Sequence, residues 1–205
     1  MNEYGWALEF VKDQTEEICL AAVKENGMAL EYAEIQTEEI CIAAAIRDYE
    51  IASVYSISNL RHSVLEYVEN QTDKICLEIV RLNGLALEHV RYQTEEICLI
   101  SVNQNPYALE YVKEQTEEMC TEAVKNKGLV LEYVKDQTDR ICLEAVKRNG
   151  YALKYVKEQT IEMCLIAVSK NDFNTVFIRD KEMKQICKKY HKEGKRFMRT
   201  KSAKR

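Results

Sequence analysis

Residues 134–150 read VKDQTDRICLEAVKRNG, and residues 11–27 read VKDQTEEICLAAVKENG. The phrase returns at a spacing of 22 residues. Its Gln-Thr pair falls at Gln14-Thr15, Gln36-Thr37, Gln71-Thr72, Gln93-Thr94, Gln115-Thr116, Gln137-Thr138 and Gln159-Thr160. Self-similarity at a fixed period of this size marks a solenoid, in which no repeat buries its apolar face alone.

Each repeat reads as two helices. In the copy around Gln137, Leu131 and Val134 stand three apart on a short first segment, which is helical spacing. Thr138 then suits a helix N-cap, with Asp139 in the first turn, so that hydroxyl and carboxylate both meet the positive end of a second helix. Ile141, Cys142, Leu143, Ala145 and Val146 give that helix a wide apolar stripe, as expected of a helix covered on both flanks by neighbouring repeats. Twenty-two residues is short for two helices, so the first is expected to be partly 3₁₀. Gly150 closes the repeat. Gly5, Gly27, Gly84 and Gly128 share its slot, which reads as a left-handed helix cap. Pro106 occupies the same slot and cannot take that conformation. Either that turn differs or the slot needs no positive φ, and Pro106 opens the next short helix.

Composition agrees. One Pro and six Gly in 205 residues point to helix. No run approaches the roughly 18 apolar residues of a membrane span. Met1–Lys12 holds two acids and no basic n-region, and so does not read as a signal peptide. Seven of the eight cysteines (Cys19, Cys41, Cys76, Cys98, Cys120, Cys142 and Cys164) share one repeat position. Equivalent residues of stacked helices lie about 8–10 Å apart, beyond the roughly 7 Å that a disulfide spans. They read as small buried hydrophobes in a reducing compartment. With no C-x-x-C and three scattered histidines, a metal site is not expected.

The period breaks twice. Gln36 and Gln71 are 35 residues apart, so Arg47–His62 is either a degraded repeat or an insertion. After residue 178 the motif fades, with Gln185-Ile186-Cys187 a faint echo that suggests a decayed capping repeat. Residues 179–205 hold 12 Lys/Arg against 3 Asp/Glu, whereas residues 1–178 hold 17 against 31. A basic tail made of Lys188, Lys189, Lys192, Lys195, Arg196, Arg199, Lys201, Lys204 and Arg205 is a candidate contact for nucleic acid or an anionic membrane, a nuclear-targeting address, a segment that folds back on the acidic array, or a solvated terminus.

Rows of equivalent residues are the candidate surfaces. Glu9, Glu31, Glu66, Glu88, Glu110 and Glu132 form an acidic row. Lys12, Arg91, Lys113, Lys135 and Lys157, three residues on, are expected to pair with it along each short helix. Phe10, Tyr32, Tyr67, His89, Tyr111, Tyr133 and Tyr155 form an aromatic row, which either packs between layers or anchors a peptide partner along a groove. The Gln row is expected to satisfy free backbone groups where the two helices of a repeat meet. No catalytic, cofactor-binding or metal residues are nominated. Every plausible group is one copy of seven, and a catalytic site needs a unique geometry.

The phrase QT-E/D-x-I/M-C-L, as at Gln14–Leu20 and Gln93–Leu99, resembles a family of domains of unknown function, the one numbered 4116. The resemblance covers residues 4–172, with departures at Thr121, Ile161 and Arg47–His62. Such repeats abound in Mimivirus-type giant viruses of amoebae and also occur in bacteria. The resemblance implies no activity or cofactor. It implies a giant-virus protein acting in the host cytoplasm or in the virion, with the nucleus a further location if the tail is an address.

The expected fold is therefore all-α. It is an α-solenoid of about seven 22-residue two-helix repeats over residues 1–178, irregular at 47–62, with a degenerate cap and basic tail over 179–205. The expected function is a non-enzymatic scaffold for a protein or peptide, with nucleic-acid association through the tail as the alternative.

Overall fold

The computed structural model describes residues 5–54 and 63–202, with side chains described over 7–54 and 63–192. Among the described residues every regular element is a helix, and 3₁₀ and α-helices alternate along the chain. The chain forms two compact units, Met1–Lys113 and Glu114–Arg205.

Unit 1 contains η1 (Gly5–Phe10), α1 (Glu16–Glu25), η2 (Gly27–Tyr32), α2 (Glu38–Val54), η3 (Val64–Glu66), α3 (Asp73–Leu82), η4 (Gly84–His89), α4 (Glu95–Gln104) and η5 (Pro106–Tyr111). Unit 2 contains α5 (Glu117–Asn126), η6 (Gly128–Tyr133), α6 (Asp139–Arg148), η7 (Gly150–Lys154), α7 (Ile161–Lys170), η8 (Asp172–Phe177) and α8 (Lys181–Ser202). Within each unit, successive α-helices stack, and η2, η4, η6, η7 and η8 each pack on the α-helices before and after them. Both units are thus all-α repeat stacks. The short helix of the repeat is wholly 3₁₀.

The boundaries follow from capping. In every full repeat the Thr hydroxyl accepts the backbone N–H three residues on, at 3.3–3.4 Å, from Ile18, Ile40, Ile75, Ile97, Met119, Ile141 and Met163. The other end corrects the sequence reading. Helix α6 stops at Asn149 in extended backbone, φ −144° and ψ 113°, with no left-handed glycine. The Asn side chain instead caps the next 3₁₀ helix, accepting the Tyr151 N–H at 3.0 Å. The same bond forms at Asn26, Asn83, Asn105 and Asn171.

Glycine is required for a different reason. A Cβ at Gly27 would lie 2.3 Å from the Ala44 carbonyl oxygen, at Gly84 2.4 Å from that of Ser101, and at Gly128 2.4 Å from that of Ala145. The slot is where one repeat's turn presses on the backbone of the next repeat's α-helix. It needs no positive φ, so Pro106 stands in it as the first residue of η5.

The core is a set of ladders. Leu30, Leu65, Leu87, Leu109, Leu131 and Leu153 are fully buried, and the eight cysteines are 0–4 % exposed. All eight are free thiols. The break in the period begins in α2, which runs 17 residues where the other full repeats have 10. Residues 55–62 lie outside the described residues. The chain returns at Ser63, which caps η3, so Arg47–His62 spans the end of α2 and its connection to η3.

Candidate functional site

The Gln-Thr dipeptide does more than join two helices. Gln14 Nε2 donates to the Leu8 carbonyl of its own 3₁₀ helix at 3.3 Å and to the Tyr32 carbonyl of the following repeat at 2.9 Å. Its Oε1 accepts the Glu34 N–H at 2.9 Å. One amide therefore clasps two successive repeats. The same clasp runs from Gln36 to Tyr67, Gln71 to His89, Gln93 to Tyr111, Gln115 to Tyr133, Gln137 to Tyr155 and Gln159 to Phe177, at 2.8–3.0 Å. The expected junction role is present, and a link between repeats is added to it.

The residues held are the aromatic row itself, each by its own main-chain carbonyl. Tyr32, Tyr67, His89, Tyr111, Tyr133 and Tyr155 are half-buried, while Phe10, which precedes the first clasp, is 78 % exposed. Phe177 is an eighth member that the sequence reading missed. Its signal was the run Phe177-Ile178-Arg179, 22 residues after Tyr155-Val156-Lys157.

In unit 1 the rings of Tyr32 and Tyr67 lie near acids of the same row. Burial together with Glu31 and Glu9 raises the Tyr32 phenol above its ordinary range, and burial with Glu31 and Glu66 does the same for Tyr67. Near the end of unit 2, Tyr151, Phe173 and Phe177 form a ring cluster with centroids 5.5–6.2 Å apart. Lys154 lies 5.1 Å over the Tyr155 ring, within cation–π range.

The basic row makes bonds between repeats as well. Lys113 Nζ reaches back 22 residues to the Arg91 carbonyl at 2.8 Å, and Lys157 Nζ reaches the Lys135 carbonyl at 2.5 Å. Arg91 does likewise to Glu69 at 2.7 Å and Arg179 to Lys157 at 3.0 Å. These cations join repeats, each reaching a carbonyl in the segment that follows the preceding repeat's 3₁₀ helix.

The cysteines complete the clasp. Cys19 Sγ donates to Gln14 Oε1 at 3.2 Å, and Cys98, Cys120 and Cys142 do so to their own glutamines at 3.5–3.6 Å. Burial pushes the thiols of Cys41, Cys120, Cys142 and Cys164 up to about 11. The unfolded thiols, near 9.0, ionise first as pH rises. The stability that rests on neutral thiols is therefore intact below about pH 9 and is lost as pH climbs through about 11. We expect the alkaline limb of thermal unfolding to flatten in a Cys41→Ala/Cys120→Ala/Cys142→Ala/Cys164→Ala variant. An unchanged limb would refute the assignment.

The tail is helical from Lys181 to Ser202. Asp180 caps α8, its carboxylate accepting the Met183 N–H at 2.7 Å, and Cys187 is buried where α8 packs on α7. His191 Nε2 meets the Asp172 carboxylate. Lys188, Lys189 and Lys192 are exposed. Lys195, Arg196, Arg199 and Lys201 continue α8, but their side chains lie outside the described residues, as do Lys204 and Arg205 altogether. Charge divides by unit as well: residues 1–113 hold 8 Lys/Arg and 20 Asp/Glu, and residues 114–205 hold 21 and 14. Among the described residues no three His, Cys, Asp or Glu side chains group as a metal site, and no helix is long and apolar enough to cross a membrane.

Residues 72–116, 94–139 and 116–160 each match the model of a family described as a domain of unknown function (DUF4116). The three placements overlap and advance by one repeat length. No curated protein and no solved structure matches the chain.

Proposed function

We propose that the chain, whose residues 72–160 match the DUF4116 repeat-family model, is a non-enzymatic helical-repeat scaffold that binds a protein or peptide partner along its 3₁₀ helices. The observation that carries this reading is the clasped aromatic row. Tyr32, Tyr67, Tyr111, Tyr133 and Tyr155 stand half-buried at one repeat position, their backbones fixed by the glutamines. Rigid aromatics with an apolar body and a polar tip are the usual anchors of a binding surface, because little side-chain entropy is lost on contact. The raised thiols support a structural role for the cysteines, since the thiolate is the nucleophile.

The clasp uses main-chain carbonyls, so the rings can be removed without breaking it. Peptides selected from a displayed random library on the wild-type protein should bind the Tyr111→Ala/Tyr133→Ala variant at least about tenfold more weakly, in line with aromatic hot spots. Thermal unfolding should stay close to wild type. Equal binding by a folded variant would remove the aromatic row from the proposal.

A second reading assigns nucleic-acid binding to α8, and the exposed Lys188, Lys189 and Lys192 in a basic unit support it. Deleting residues 179–205 would also strip α7 of its cover, so substitution is the cleaner probe. Fluorescence anisotropy with single-stranded RNA and duplex DNA should show binding that weakens steeply with salt. It should drop in Lys188→Gln/Lys189→Gln/Lys192→Gln. Absence of wild-type binding at low salt would discard this reading and leave the first intact.

A further inference from the structure

Among the described residues, η1 and α1 show an open face whose counterpart in the following repeats is covered. Ala7, Val11, Ile18, Ala21 and Ala22 line an apolar groove across η1 and α1, with Glu25 at its edge. Ile18 is 40 % exposed. In unit 1 the same repeat position is 0–2 % exposed at Ile40, Ile75 and Ile97, where α1, α2 and α3 pack on α2, α3 and α4. In unit 2 it is 0–1 % exposed at Ile141 and Met163, beneath α5 and α6. In each of these repeats the complement of this face is an α-helix, and the groove is continuous in kind with those interfaces.

Among the described residues, an exposed apolar stripe lies on α8. Cys187 points inward, while Ile186 and Tyr190, four residues apart, are 47 % and 62 % exposed, with exposed Lys189 beside them. The groove sits in the acidic unit, with exposed Glu17 and Glu25 on its helix, and the stripe sits in the basic one. Opposite charge favours their encounter and orients it. Three alanines in the groove leave room for a helix with a bulky pair of side chains.

We propose that the open face of η1 and α1 seats helix α8 of a second copy of this chain, with Ile186 and Tyr190 on the alanine groove. Such a contact joins two different surfaces, so it propagates head to tail into rings or open chains.

The test is complementation of two interface variants of the full chain, followed by light scattering coupled to size exclusion from about 1 µM to 1 mM. Wild-type mass should rise with concentration above the 23.9 kDa of one chain. Ile18→Glu spoils the groove and Ile186→Glu spoils the stripe. Both positions are solvent-accessible, so each variant should keep the wild-type helical circular dichroism and run as a monomer. An equimolar mixture retains one intact groove and one intact stripe and should form a 1:1 dimer and nothing larger. A wild-type protein that stays monomeric throughout overturns the proposal. So does assembly abolished by Ile18→Glu and untouched by Ile186→Glu, which would mean that two grooves pair with each other. Two monomeric variants that fail to combine overturn it as well.

Discussion

Replacing Gln137 with Leu is expected to lower unfolding free energy by about 3 kcal/mol. Leucine nearly matches the volume of glutamine, so the loss is not one of packing. It comes from the Tyr155 carbonyl and the Lys157 N–H, which bond the Gln137 amide at 3.0 and 2.9 Å, and from the Leu131 carbonyl at 3.3 Å. Each backbone group left without a partner in a part-buried site costs about 1–3 kcal/mol, and the lower end applies here. For a chain of this length the melting temperature should fall by roughly 6–12 °C. Gln137→Glu sharpens the test. The carboxylate keeps the acceptor for Lys157 but turns a negative oxygen towards two carbonyls, so an isosteric change should be no milder than leucine. Breaking the exposed Lys147–Glu144 pair, 2.9 Å apart, should cost no more than about 0.5 kcal/mol. Urea midpoints for the three variants would decide the ranking. A Gln137→Leu midpoint near wild type would remove the clasp as a stabilising element.

Gly128→Ala is expected to cost about 1–3 kcal/mol, although alanine is a better helix former than glycine. The new Cβ would stand 2.4 Å from the Ala145 carbonyl oxygen, with the Asn149 Cβ and N at 3.1 Å. The nearest obstruction is backbone, so η6 and α6 must separate. Gly150→Ala provides the contrast. Its Cβ would meet the Asn174 side-chain nitrogen at 2.4 Å and the Ala167 carbonyl oxygen at 3.1 Å. The Asn174 side chain can yield, at the loss of its 2.7 Å bond to the Ala167 carbonyl. The Gly128 variant should therefore melt lower than the Gly150 variant. The reverse order would show that the close approach at Gly128 relaxes without cost. If the slot demanded a left-handed backbone, both would suffer alike.

That contrast marks where sequence reasoning ran out. Features set by neighbours within one helical turn were legible. The Thr138 cap, the short-helix/long-helix alternation and the burial of Cys142 all follow from side chains a few residues apart. Features set by the neighbouring repeat were not. Gln137 reads as a junction residue because Leu131 is close in sequence, but its other partners lie 18 and 20 residues on. Gly128 was read by the local rule for helix ends, whereas its constraint is the Ala145 carbonyl 17 residues away. The spacing of Lys113 and Lys157 points only to acids on their own helix, whereas both also serve carbonyls 22 residues back. The aromatic row was visible as a period, and what holds it in place was not. Phe177 escaped because no Gln-Thr follows it to announce the repeat.

The Gln36 clasp reaches Tyr67 across 31 residues, where its counterparts reach across 18, yet it closes at the same bond length. The amide gauges only where the two ends stand, not how much chain runs between them. The link after a repeat's α-helix is therefore a permissive graft point. Loop-closure cost grows only with the logarithm of length, about 0.6 kcal/mol for each doubling. A dozen foreign residues placed after Arg148 should be carried as cargo, with the Gln137 clasp and the ladders on either side kept in register.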